Sequence, residues 1–193
     1  MDEIKLTGTG IIGVLHDPFF LAVGKVANEW NHLQEALGEL FGVVAGINQK
    51  MAFAIWYSTQ SDRTQREMLR AALSSSSEEL WKHKPTHAQQ DVTRLLNKAD
   101  SIADQRNDAI HAPCSLGIEG GKFEMMPQYF FGNPRAKKLQ GKNLLTELEW
   151  YAHSATALML YSRLVTASLS HAHSPWPDRP QMPTLVQNPS HTK

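Results

Sequence analysis

A chain of 193 residues with 41% hydrophobic content is long enough to bury one proper core and short for two. Its 19 Lys and Arg balance 19 Asp and Glu, which excludes the chain-wide positive field of a general nucleic-acid binder and leaves any polyanion contact to a local patch. The single cysteine, Cys114, excludes an internal disulfide framework and suits a reducing compartment.

The N-terminus lacks a basic leader, and the apolar run Ile11–Leu15 is interrupted at once by His16, Asp17 and Pro18. That pattern fits neither a signal peptide nor a membrane span, so a soluble cytoplasmic protein is expected. Residues 1–17 read as a loose arm with one short strand. Asp17 then serves as an N-cap with Pro18 at the first helical position. In the helix that follows, Val23, Val26, Trp30, Leu33, Leu37, Leu40 and Val44 recur in steps of three and four. Such a seam belongs to a helix packed in a bundle, and Gly46 supplies its stop.

A second helix is predicted from Asn48 to about Ala72. Arg63, Arg66 and Arg70 fall at i, i+3 and i+7, placing their guanidinium groups on one stripe. That stripe is either a phosphate-contacting surface or a solvated face with Asp62 and Glu67 as local partners. Ser74–Pro85 reads as a loop pinned by Trp81. Thr86 caps a third helix that reaches about His111 or Ala112, where Pro113 stops it. Beyond Cys114, Leu116 and Ile118, then Phe123 and Met125, alternate around Gly120-Gly121, a hairpin signal. Arg135-Ala136-Lys137-Lys138 forms a small basic cluster. A fourth helix spans about Leu144 to Ser170. Residues 173–193, rich in proline, have little to bury and are expected to be extended or disordered. The fold class is all-α: an up-and-down-like four-helix bundle over residues 18–172, with a small β-hairpin inserted before the last helix.

The third helix carries the candidate chemistry. Val92, Leu95, Leu96, Ala99, Ile102, Ala103 and Ile110 share one side, and Arg106 lies near the middle of that apolar stripe. A guanidinium there is costly unless paired and hydrogen-bonded; a structural ion pair with Asp62 or Glu67 would meet that cost. Asp100, Asp104, Asn107 and His111 form a second stripe. An imidazole can take or give a proton near neutral pH. A guanidinium can hold phosphate oxygens as charge builds, and an amide can orient either. Together they suit cleavage of an RNA backbone with no metal and no cofactor. Arg106 and His111 are five residues apart, about 140° around an ideal helix. They converge only if the helix end distorts near Pro113 or if two chains share the site. The nine histidines are scattered, and His171-Ala172-His173 is an isolated pair, a poor metal site.

Arg106-Asn107-Asp108-Ala109-Ile110-His111 resembles the R-N-x-x-x-H signature of HEPN domains. The resemblance implies a helical bundle that dimerises, with two such motifs facing one another in a cleft. It also implies a metal-independent endoribonuclease of a toxin–antitoxin, defence or RNA-processing system, forming 2′,3′-cyclic phosphates, with RNA or a nucleotide as ligand and an antitoxin or other protein as partner. Arg106 and His111 would then be the catalytic pair and Asn107 their support, with Arg63, Arg66, Arg70 and Asp104 as substrate contacts. Two other readings fit the same residues: a catalytically inactive HEPN-like binding module, and a structural bundle in which the motif is accidental.

Overall fold

In the computed structural model, residues 8–119, 122–128 and 132–185 are described. They are mostly helical, with one two-stranded antiparallel sheet. The helices are α1 (Gly8–Ala45), α2 (Gln49–Trp56), α3 (Asp62–Ser74), α4 (Glu78–Trp81), α5 (Ala88–His111), α6 (Pro134–Lys138) and α7 (Leu144–Ser170); the strands are β1 (Cys114–Glu119) and β2 (Lys122–Pro127). The chain divides into two compact units. Among the described residues, one holds those of 8–27, 104–152 and 184–185, and the other 28–103 and 153–183. Helices α1, α5 and α7 each contribute to both.

In the larger unit the seam predicted for the first helix is the core. Trp30, Leu33, Leu37, Leu40 and Val44 of α1 are all buried. So are Val92, Leu95, Leu96, Ala99 and Ile102 of α5, and Leu158, Tyr161 and Val165 of α7. Gly46 ends α1 at φ +68°, and the Ile47 amide reaches back 3.0 Å to the Gly42 carbonyl, a closure that favours glycine at the left-handed position. Gly42 has a second reason to be glycine. A Cβ there would stand 2.8 Å from that of Ala52, so α1 and α2 could not approach as they do.

Three expectations need correction here. First, α1 begins at Gly8 and carries Pro18 in its interior, so residues 8–17 are neither arm nor strand; residues 1–7 lie outside the described part. A proline costs a helix interior about 3 kcal/mol, and the apolar seam beyond it sustains the helix regardless. Second, the predicted second helix is two. Ser61 accepts a hydrogen bond from the Thr64 amide and caps α3. The Gln65 side-chain amide donates to the Trp56 carbonyl at 3.0 Å, satisfying the end of α2. Third, the proline-rich segment, which has no helix or strand over residues 175–185 as expected, is docked rather than left with little to bury; residues 186–193 lie outside the described part. Trp176 Nε1 and Arg179 Nε donate to opposite oxygens of Asp91 at 2.9 and 2.6 Å, and the Asp91 side chain is only 1% exposed. Trp81 meets Trp176 edge-on at 6.5 Å, and Lys84 caps the end of α7 through the carbonyls of His171, Ala172 and Ser174.

The smaller unit carries the hairpin, with Leu116 opposite Met125 and Ile118 opposite Phe123, the register the alternation predicts. Its Gly120-Gly121 tip lies outside the described residues. Helix α6, read from sequence only as a basic cluster, is capped by Asn133, whose side chain accepts from the amides of Arg135 and Ala136.

Candidate active site at the end of the third long helix

The motif sits on the last turns of α5, in the smaller unit. The helix runs regularly through His111, the Ala112 amide still closes a turn on the Asp108 carbonyl at 3.0 Å, and the Pro113 carbonyl receives the Gln128 amide at 2.7 Å. The proline therefore ends the helix cleanly and hands the chain to β1. Because α5 stays regular to His111, it keeps Arg106 and His111 on different sides of the helix. Distortion at the helix end does not bring them together.

Arg106 is half-buried. Its Nη2 donates to Asn107 Oδ1 at 2.8 Å, so the asparagine amide steadies the guanidinium rather than the histidine. His111 is exposed, and Asp104 is exposed one turn before Asp108. Burial pushes the Cys114 thiol up, and its Sγ contacts the Ala112 carbonyl at 3.4 Å. A thiol held protonated in this way is a poor nucleophile.

The other candidate substrate contacts lie in the larger unit and are mostly engaged. Arg66 Nε bonds Asp100 Oδ1 at 2.6 Å with its side chain 4% exposed, and its guanidinium lies 5.7 Å from the Trp30 ring centroid. Arg70 Nη2 takes the other Asp100 oxygen at 2.5 Å. Arg63 is exposed and pairs with Glu67 at 3.3 Å, while Asp62 accepts from Trp30 Nε1 at 2.6 Å. The arginine stripe is thus chiefly a scaffold around Asp100, and Arg63 alone of the three keeps the solvated character of a surface cation.

Sequence reasoning missed Asp108. Its side chain is 15% exposed and bonds Lys138 Nζ of α6 at 2.7 Å, with Arg135 Nε at 4.0 Å. The only local signal was a carboxylate inside the motif; its partners lie about thirty residues away in sequence. Among the described residues, no group of three His, Cys, Asp or Glu side chains is placed to hold a metal ion, and no helix is long and apolar enough to cross a membrane. No protein-family model matches the chain, nor does any curated protein or solved structure.

Proposed function

We propose that the chain is a HEPN-like protein acting as a metal-independent endoribonuclease in the cytoplasm, with α1, the α2–α3 pair, α5 and α7 as a four-helix bundle. The observation that carries this reading is the end of α5, where a half-buried Arg106 is held by Asn107 five residues before an exposed His111 on a regular helix. A preorganised guanidinium is suited to a phosphorus centre gaining negative charge. An exposed imidazole can exchange protons with substrate.

In the proposed reaction the ribose 2′-oxygen loses its proton and attacks the adjacent phosphorus. The bond to the 5′-oxygen breaks, that oxygen is protonated, and a 2′,3′-cyclic phosphate remains. His111 serves one of the proton transfers and Arg106 the non-bridging oxygens. Since one α5 directs the two side chains apart, the working site combines His111 and Arg106 of two copies, which makes the enzyme a homodimer. A toxin or defence role, with an antitoxin-like protein covering the cleft, follows the same resemblance.

Purified protein is tested on mixed RNA with EDTA present. Cyclic-phosphate products that disappear in Arg106→Ala and His111→Ala support the proposal. Cleavage that is absent from the wild type, or that survives both substitutions, sinks it. The engagement of Arg66 and Arg70 by Asp100 favours a second reading, a non-catalytic module that binds RNA, a nucleotide or a partner protein. Salt-dependent RNA binding without turnover would identify that case.

A further inference from the structure

Three cations, Arg135, Lys137 and Lys138, are gathered on the five-residue helix α6. So short a helix cannot stand on propensity. It is held by the Asn133 cap, by burial of Ala136 and Leu139, and by Asp108 of α5. The anchor's position matters. Asp108 lies two residues after Arg106 and three before His111, and residues three apart on a helix are surface neighbours, about 5–6 Å between Cβ atoms. A bare carboxylate one turn from His111 would repel a phosphodiester. Here Lys138 and Arg135 cover it, while their own side chains remain 66% and 49% exposed.

One carboxylate needs one cation, and an exposed ion pair contributes at most about 1 kcal/mol, so charge balance at Asp108 does not account for the cluster. Lys137 is exposed and makes no ion pair among the described residues, so it adds charge that the fold does not use. Cations gathered beside a group that handles phosphodiesters are the arrangement that grips a polyanion backbone.

We infer that α6 is the backbone-binding arm of this site: Arg135, Lys137 and Lys138 take phosphodiesters of single-stranded RNA flanking the one presented to His111, and Asp108 sets the helix in place. The inference rests on the ribonuclease reading for the role of His111, but not for the binding itself. It also assigns the chain's polyanion contact to a local patch, as a balanced net charge requires.

The test measures binding of a fluorescein-labelled single-stranded oligoribonucleotide by anisotropy across a salt series, in the His111→Ala background so that turnover is slowed below the time of the measurement. Each phosphate contact on a single strand contributes about 0.7 to the slope of log K against log salt. Lys137→Gln, which breaks no ion pair, is expected to lower the slope by about 0.7, and Arg135→Gln/Lys137→Gln/Lys138→Gln by about 2. Circular dichroism and the thermal midpoint check folding, and Lys137→Gln alone remains decisive if the triple variant does not fold. An unchanged slope in Lys137→Gln overturns the inference, as does a wild-type chain that binds no RNA. If the wild type binds through α6 but never cleaves, the ribonuclease reading fails and the arm stands. If it cleaves while the α6 variants keep wild-type KM and slope, the arm fails and the enzyme stands.

Discussion

The two ends of α5 treat their polar groups in opposite ways. Toward its start, Asp91 is enclosed by Arg179 and Trp176, and at mid-helix a part-exposed Asp100 pairs with the buried Arg66 and with Arg70. In each case one partner is buried, Asp91 with its side chain 1% exposed and Arg66 with its side chain 4% exposed, and the pair fastens the helix into its surroundings. In the last turns, Arg106 is steadied by its own neighbour, Asp108 is covered by cations that stay largely exposed, and His111 faces solvent. Polar groups matched inside the fold contribute stability, whereas the proposed function assigns the polar groups on the end of the helix to a ligand. The comparison breaks if substitutions at the two ends have interchangeable effects.

The largest effect expected is on catalysis. If the proposed ribonuclease reading holds, His111→Ala slows RNA cleavage by about 10²- to 10⁴-fold, the usual contribution of a general acid or base. Because the side chain is exposed, its denaturant midpoint should correspond to a change within about 0.5 kcal/mol. Asp100→Ala should do the reverse, costing about 3 kcal/mol because it strands the buried Arg66 guanidinium, while kcat of the folded fraction is kept. Urea titrations and single-turnover rates on the same preparations decide both. A stable Asp100→Ala protein, or a His111→Ala protein that unfolds, would erase the distinction between the two ends.

Next in size is the docked segment after α7. Trp176→Ala removes a hydrogen bond to a buried carboxylate and the edge contact with Trp81, and should cost about 2 kcal/mol. A midpoint indistinguishable from wild type would mean that the segment only rests on the larger unit. The environment it meets is strongly perturbed, since burial and the Asp91 charge push the Tyr161 hydroxyl up to about 12.

How far these features were legible follows from the range over which each is determined. The α1 seam, its stop at Gly46, the span of α7 and the hairpin register are set by near neighbours, and alternation or three-four spacing exposes them. The break between α2 and α3 is set by Gln65 reaching Trp56 and by Trp30 reaching Asp62, the second contact spanning 32 residues. No Gly or Pro marks that break, so periodicity ran through it. For the segment after α7, composition shows the lack of helix and strand but not the docking. Its proline content was visible, but the pairing of Trp176 and Arg179 with an aspartate more than 80 residues earlier was not. At the site, the oddity of an arginine in an apolar stripe was legible. Its bond to Asn107 depends on side-chain rotamers, and the covering of Asp108 by α6 on a contact across 30 residues, neither of which spacing exposes.

The smallest effect is a slope, and it examines the matched stretch of α5 directly. Burial alone would push the Asp100 carboxyl up, but hydrogen bonds from Arg66 and Arg70, together with their charges, outweigh it and hold the group below its ordinary value. The folded state therefore binds a proton at Asp100 less readily than the unfolded chain does. The stability this contributes is fully present above the unfolded value of about 3.9 and is lost as pH falls through the lower folded value. Asp100→Asn has no proton to gain, so its stability should fall less steeply with acid than wild type below about pH 4, although it is less stable throughout for want of the negative charge. Urea midpoints taken down the acid limb measure this. Parallel limbs for the two proteins would show that Arg66 and Arg70 do not stabilise the ionised carboxylate, and α5 would lose the contrast between its fastened start and its presented end.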